Sequence, residues 1–168
     1  MTATPEWDYL HKRRFDVRLR ARTNRLYQLR RQSVMELREG LVKVASLIAG
    51  SVALANVAHP AVVQAAAAVI FGGTAAALVF GWAAKSRDAA RRSSEWTALE
   101  REVDAVGERT FSEPQLDAWQ ARCNEIEATE PAANKTMLER AYRQACESFG
   151  VKPSPGGPWP WLPSVVIP

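Results

Sequence analysis

The chain has 168 residues, of which 47% are hydrophobic, and its formal net charge at pH 7 is +4. A chain of this length forms one domain with a modest core. The sequence contains no GxSxG, Walker A, HExxH or GxGxxG motif, which excludes the common catalytic and nucleotide-cradling signatures. We therefore expect neither an enzyme nor a bound cofactor.

Residues 1–39 are predicted to form a basic amphipathic N-terminal helix. No glycine or proline interrupts the chain between Pro5 and Gly40, and ten of the first 39 residues are Lys or Arg. Apolar residues at helical spacing predict one stripe, which consists of Phe15, Leu19, Leu26, Leu29 and Leu37. The remaining faces carry arginine, which indicates either a solvated helix or a ring of arginines that binds an anionic ligand such as an oligonucleotide. The candidates for that ligand site are Arg18, Arg22, Arg25 and Arg30.

Residues 40–84 are predicted to form a transmembrane helical hairpin, because Lys43 is the only formally charged residue among them. The second apolar segment, Ala65 to Ala84, is long enough to cross the hydrocarbon core at ~1.5 Å per residue. The first, Val44 to Ala58, is shorter and crosses if Lys43 reaches the headgroups or the bilayer thins. The turn falls at Ala58-His59-Pro60, since proline begins a helix well. A soluble alanine-rich hairpin is the alternative, but the stretch offers no polar face to water.

The distribution of Lys and Arg predicts the orientation of the hairpin. Ten basic residues precede it, four follow within eight residues of Ala84, and the connector has none. Both termini of this two-span membrane protein should therefore be cytoplasmic. The basic arm suits an anionic leaflet, and Trp82 lies where an interfacial aromatic belt is expected. Residues 93–150 carry 12 acidic and 6 basic side chains and should stand away from the membrane or meet basic partners.

One face of the first membrane helix is small and polar at ~100° per residue. It consists of Ala49 together with five further residues, Lys43, Ser46, Gly50, Ala53 and Asn56, while Leu41, Val44 and Ile48 lie on the opposite side. In lipid, such a face either packs against another helix or lines a pore in an oligomer. The second helix has Gly73, Ala77 and Gly81 at four-residue spacing, a close-packing pattern without polar groups. The pore-lining candidates are therefore the five residues of the first helix.

Residues 85–150 are predicted to form cytoplasmic helices that dock on the N-terminal helix. Three apolar stripes mark them: Trp96, Leu99, Val103 and Val106; Leu116, Trp119, Cys123 and Ile126; Met137, Leu138, Ala141, Tyr142, Ala145 and Phe149. Ser112 and Asn134 are the expected N-caps. The carboxylates of these helices have the spacing of a solvated surface. Cys123 and Cys146 should be free thiols, and without CxxC or a histidine cluster we expect no metal site.

Residues 151–168 form a Pro/Trp-rich tail with six prolines among the last 16 residues. This composition predicts an extended, polyproline-like chain. Trp159 and Trp161 belong either to a free end or to a segment that docks on the bundle, on a neighbouring subunit or at the headgroups. The apolar Val165-Val166-Ile167 favours docking.

The order of these elements resembles the SLATT family, the two-transmembrane effector domains of bacterial nucleotide-signalling conflict systems. The resemblance is carried by the basic helix, by the pair Leu41–Ala58 and Pro60–Ala84, and by the run AKSRDAARRSSEWTALEREVDAV with its Trp96 and Leu99-Glu100-Arg101-Glu102. Glu130-Pro131 between the later helices completes it. The likeness covers about residues 10–148 and leaves out the tail. It implies an oligomeric pore-forming effector that a partner nucleotidyltransferase controls through a nucleotide-type signal.

Three hypotheses follow for an all-α membrane protein whose hairpin continues into a cytoplasmic bundle. The first is a homo-oligomer, with a tetramer favoured, that acts as an ion-channel-like effector of antiviral defence. Its partners are membrane lipid, further copies of the chain, and a nucleotide or oligonucleotide made by the partner enzyme. The second is a membrane-anchored scaffold that recruits a protein through the bundle or the tail. The third is a soluble protein whose basic helix binds nucleic acid.

Overall fold

The computed structural model describes residues 5–54 and 59–153, and every described residue in regular secondary structure is helical. The five helices are α1 (Pro5–Leu54), α2 (Pro60–Phe80), α3 (Trp82–Ala105), α4 (Glu113–Ala128) and α5 (Lys135–Ser148). The end of the first predicted span, the pore-lining candidate Asn56 and nearly all of the tail lie outside the described residues. The all-helical prediction is confirmed.

The chain divides into two compact units. The bundle unit comprises the described residues of Met1–Arg30 and Arg91–Pro168, and the hairpin unit comprises those of Arg31–Ala90. These limits differ from the segments 1–39, 40–84 and 85–150 read from the sequence. The reason is that α1 and α3 each contribute residues to both units.

The core of the bundle unit confirms the stripes predicted for α3 and α4. Trp96, Leu99 and Val103 are buried against the α4 stripe of Leu116, Trp119, Cys123 and Ile126. Helix α4 begins at the expected cap, where the backbone N–H of Ser112 donates to the Gln115 side chain at 2.9 Å. Helix α5 begins where the Asn134 side chain accepts from the backbone N–H of Met137 at 3.0 Å. Leu138 and Ala141 of α5 pack on Tyr27 of α1.

The stripe predicted for α1 is wrong in its later half. Leu29 is 43% exposed and Leu37 is 63% exposed, whereas Val17, Ala21 and Tyr27 enter the core. The face that α1 turns toward the bundle is largely polar, and its buried polar residues are Arg14, Arg20, Thr23, Asn24 and Gln28. A search for apolar periodicity misses such a face, since the apolar positions do not define it.

Within the hairpin unit, α2 lies antiparallel to the second half of α1. A Cβ placed on Gly73 of α2 would lie 3.2 Å from Val42 Cγ1 and 3.9 Å from Ser46 Oγ, both on α1. Further along, Ser86 Oγ donates to Glu36 at 3.2 Å. Residue numbers thus rise through α2 and the start of α3 as they fall along α1. Gly81 ends α2 in the left-handed region at φ 58°, a conformation that glycine adopts without steric cost.

Helix α2 presents its apolar side chains outward. Phe71, Leu78, Val79 and Phe80 are exposed, as are Leu41, Leu47 and Ile48 of α1. Among the described residues, one stretch, within Pro60–Ala105, is long and apolar enough to cross a membrane, with mean hydropathy 2.0. A core helix of a soluble protein passes the same test of length and composition, but only 6% of this window is buried.

Both cysteines are free, as the sequence predicts, and both are buried. Burial raises the pKa of the Cys123 thiol to about 11, and the thiolate is the reactive form. At pH 8 only ~0.1% of such a thiol is ionised. We expect the native chain in detergent to resist maleimide, and the chain in guanidinium to take two adducts, as read by intact mass. Equal rates in the two conditions would contradict the packing around these thiols.

Candidate functional site: the arginine–carboxylate interface of the bundle

The arginines of α1 between positions 13 and 25 meet carboxylates of α3 and α4 across the bundle unit. Arg13 Nη2 lies 2.7 Å from Asp117 Oδ1, and Arg18 Nε lies 2.7 Å from Asp104 Oδ1. In a helix that carries so many arginines, like charges repel unless counter-charges lie close. The acidic half of the chain supplies these counter-charges.

Glu100 holds two of the predicted ligand-binding residues at once. Its Oε1 accepts from Arg22 Nε, and its Oε2 lies 3.0 Å from Arg25 Nη1. Glu100 is only 4% exposed, so its charge is withdrawn from water and depends on these two guanidinium groups. A buried carboxylate without such partners would be strongly destabilising.

Arg20 and Arg14 are the most buried arginines of the interface. Arg20 donates through Nε to Glu127 Oε1 at 2.6 Å and through Nη2 to Asn124 at 2.9 Å. Arg14 donates through Nη2 to the backbone carbonyls of Val103 and Val106 at 3.0 and 2.8 Å. These carbonyls belong to the C-terminal end of α3, where a cation is favoured by the helix dipole.

Phe149, at the C-terminal cap of α5, covers part of the arginine row. The guanidinium carbons of Arg18 and Arg22 each lie 5.2 Å from the centre of its ring, within range of a cation–π interaction. Phe15 of α1 meets the same ring edge-on at 5.7 Å. The end of α5 is thereby fixed over two of the four candidate arginines.

The break between α4 and α5 is fastened to α3. Trp96 Nε1 donates to Glu130 Oε1 at 2.8 Å, and Arg92 Nη1 donates to Thr129 Oγ1 at 2.8 Å. Burial raises the pKa of Glu130 above its ordinary value, although the bond from Trp96 opposes the shift. The side chain at position 96 is fully buried and donates a hydrogen bond, which tryptophan can do and phenylalanine cannot.

The structure therefore engages three of the four arginines predicted to bind a ligand. Arg18, Arg22 and Arg25 each have a carboxylate partner, whereas Arg30 is exposed. An anion that used the first three would have to compete with Asp104 and Glu100. The solvated-surface interpretation of the carboxylates is wrong for Glu100, and spacing gave no signal of this because Arg22 and Glu100 are 78 residues apart in sequence.

The pore-lining candidates that the structure describes are not equivalent. Ser46 lies beside Gly73 of α2, at the helix–helix contact. Lys43 is exposed and pairs with Glu39 at 2.7 Å. Gly50 faces open space, since a Cβ there would meet nothing within 4 Å. The side chains of Ala53 and Asn56 lie outside the described residues, so that the structure does not place the whole face.

A surface cleft of about 310 Å³ lies between α3 and α4 of the bundle unit. Its lining consists of Arg91, Ser94, Glu95, Ala98, Leu99, Glu102 and Arg122. The charged groups have partners nearby: Trp119 Nε1 donates to Glu102 at 3.0 Å, and Arg122 pairs with Glu125 at 3.0 Å. Among the described residues no group of three His, Cys, Asp or Glu side chains could hold a metal ion.

No family model, curated protein or solved structure matches the chain. The resemblance to the SLATT family consequently stays a prediction from the sequence layout. Two features of the structure are independent of that resemblance. In the bundle unit the arginines of α1 pair with carboxylates of α3 and α4, and the hairpin unit has an exposed apolar surface.

Proposed function

We propose that this protein is a homo-oligomeric membrane effector of bacterial defence, whose hairpin unit forms an ion-conducting pore. The observation that carries the membrane part is α2, a helix of 21 residues whose large apolar side chains, apart from Ile70, are all exposed. At ~1.5 Å per residue it measures about 30 Å, the thickness of the hydrocarbon core. In water, so large an exposed apolar surface would be an aggregation hazard.

The pore part of the proposal depends on several copies of the chain. Two helices cannot enclose a water path, so a multimer must supply further copies of the small and polar face. Gly50 supports this step, because the protomer leaves the space above it open. A neighbouring helix could approach the backbone closely there. Four copies would surround a path with the open face that contains Gly50.

The link to defence comes from the SLATT resemblance. In that family's layout a partner nucleotidyltransferase controls the effector through a nucleotide-type signal. In this chain the nucleotide signal would bind the α1 arginines, which differ in how accessible they are. Arg30 is exposed, whereas Arg18 and Arg22 are held by Asp104, Glu100 and the ring of Phe149. Binding there would exchange internal carboxylates for ligand phosphates and loosen α3 from α1.

The test is induced expression in bacteria with a voltage-sensitive dye. Expression should depolarise the cells, and Gly50→Leu should abolish depolarisation by filling the open face without disturbing the protomer. Gly72→Leu is the matched control, since Gly72 on α2 is equally open and lies on the helix that we do not assign to the pore. Depolarisation that is indifferent to both changes would refute the assignment of α1.

A second candidate function, a membrane-anchored scaffold, is favoured by the internal pairing of charges in the bundle unit. Its arginines are used internally, and Ser46 already has a neighbour in α2. In this case the hairpin unit is only an anchor, and the bundle recruits a protein partner. A chain that resides in the membrane fraction but never depolarises cells would favour the scaffold. Recovery from the cytosol without detergent would contradict both functions.

A further inference from the structure

Along α1 the arginines change character after Arg25, near the end of the bundle unit. The bundle arginines Arg13, Arg14, Arg18, Arg20, Arg22 and Arg25 all have carboxylate partners. In the hairpin unit, Arg31 and Arg38 of α1 and Lys85 and Arg87 of α3 form no ion pair with any described residue. We call these four residues the basic cluster.

Three of the four residues of the basic cluster lie at one level of the hairpin unit. The bond from Ser86 to Glu36 fixes the register between α3 and α1. At ~1.5 Å per residue, Arg38, Lys85 and Arg87 lie within about 3 Å of that level along the helix axes. Arg38 is two positions from Glu36, about 200° around α1, and therefore points away from α3. All three side chains are exposed.

The nearby carboxylates leave the basic cluster unneutralised. Glu36 accepts from Gln32 at 2.7 Å and from Ser86, and Glu39 is engaged with Lys43. Asp88, the remaining carboxylate of the hairpin unit, forms no ion pair with any described residue. Net positive charge is thus concentrated where the exposed apolar helices end.

The neighbouring aromatic pair indicates what meets this charge. Phe80 and Trp82 stack at 5.6 Å, with ring planes 9° apart, on either side of Gly81. Aromatic rings of this kind favour the boundary between hydrocarbon and headgroups. Lys85 follows three residues after Trp82, and therefore lies about 4.5 Å farther along the helix axis. With Trp82 at that boundary, Lys85 would reach the depth of the lipid phosphates.

We propose that the basic cluster of Arg38, Lys85 and Arg87, with Arg31, binds the headgroups of anionic phospholipids. The inference rests on the proposed membrane function and adds a lipid preference to it. Cations near an anionic surface each raise the preference for it by roughly fivefold. Lipid headgroups are favoured over a soluble anion because the cluster continues directly into the apolar surface.

The experiment reconstitutes the full chain in equimolar phosphatidylglycerol and phosphatidylcholine, extracts it in mild detergent and quantifies the retained lipids by mass spectrometry. The wild-type chain should retain phosphatidylglycerol in at least fivefold excess. The triple variant Arg38→Gln, Lys85→Gln, Arg87→Gln should retain the two lipids in nearly equal amounts. The matched control replaces three exposed bundle arginines without ion pairs among the described residues, Arg101→Gln, Arg109→Gln and Arg140→Gln, and should keep the excess.

The outcomes separate the lipid preference from the membrane function. A wild-type chain that resists alkaline extraction from the vesicles but retains both lipids equally would overturn the lipid preference alone. A wild-type chain that alkaline carbonate removes would overturn the membrane function as well. Displacement of phosphatidylglycerol by inorganic phosphate, but not by chloride at equal ionic strength, would identify a soluble-phosphate site instead.

Discussion

Glu100→Gln should lower the free energy of unfolding of the bundle unit by about 2–3 kcal/mol. The change keeps the shape of the side chain, so no cavity forms, but it leaves Arg22 and Arg25 facing a neutral amide. Removing one partner of a buried ion pair costs about 3–5 kcal/mol, and the two arginines are about one quarter exposed, which reduces that cost. Thermal unfolding in detergent, followed by the fluorescence of the buried Trp96 and Trp119, measures the loss.

The control for this prediction is Glu125→Gln, which removes a carboxylate from an exposed pair with Arg122 within α4. It should change the unfolding midpoint little, because exposed pairs contribute less than about 1 kcal/mol. Combining Glu100→Gln with Arg25→Gln should cost less than the sum of the two single changes. If Glu100→Gln and Glu125→Gln shift the midpoint equally, the interface does not hold α3 to α1 as described.

The helices that can best be predicted from the sequence are those whose large apolar residues recur at helical spacing. Helices α3 and α4 carry large apolar residues at three- and four-residue spacing, and the caps Ser112 and Asn134 precede acidic or polar first turns. Local chemistry therefore predicts the buried faces of α3 and α4 and the starts of α4 and α5, but it does not predict the start of α3 at Trp82, directly after Gly81. The helical nature of residues 5–39 was equally predictable, since no glycine or proline lies between Pro5 and Gly40.

The face that α1 buries could not be predicted in the same way. Arginine is normally solvated, and only a partner from a distant part of the chain changes that. Arg20 meets Glu127, 107 residues away, and Arg14 meets the carbonyls at the end of α3. Charge totals hinted at the pairing, since a basic half precedes an acidic half, but they do not assign Glu100 to Arg22 and Arg25.

The same limit applies to the candidate site residues. Helical periodicity groups Ser46 and Gly50 on one face, but in the structure their surroundings differ. Ser46 lies beside α2, whereas Gly50 faces open space. Their positions differ because α2 packs across only part of that face. A helical wheel has no information about the partner helix, which decides whether a small residue is a contact or an opening.

Gly73→Leu should force α2 away from α1. Even a Cβ at this position would lie 3.2 Å from Val42 Cγ1, closer than side chains tolerate without displacement, and a leucine adds three further carbons. Helix axes lie 8–10 Å apart according to the side chains between them, so we expect a separation larger by roughly 2 Å. Spin labels on Leu41→Cys and Leu78→Cys, both exposed positions, report it as a distance distribution. The buried thiols of Cys123 and Cys146 should not interfere with the labelling.

Gly72→Leu is the matched control, because a Cβ on Gly72 would meet nothing within 4 Å. It adds the same side chain one position away on the same helix and should leave the label distance unchanged. Membrane insertion alone cannot produce this difference, since both variants have the same hydropathy and helix propensity. A longer distance in both variants, or in neither, would mean that α2 does not pack on α1 through Gly73, and the antiparallel register from Glu36 to Ser46 would have to be abandoned.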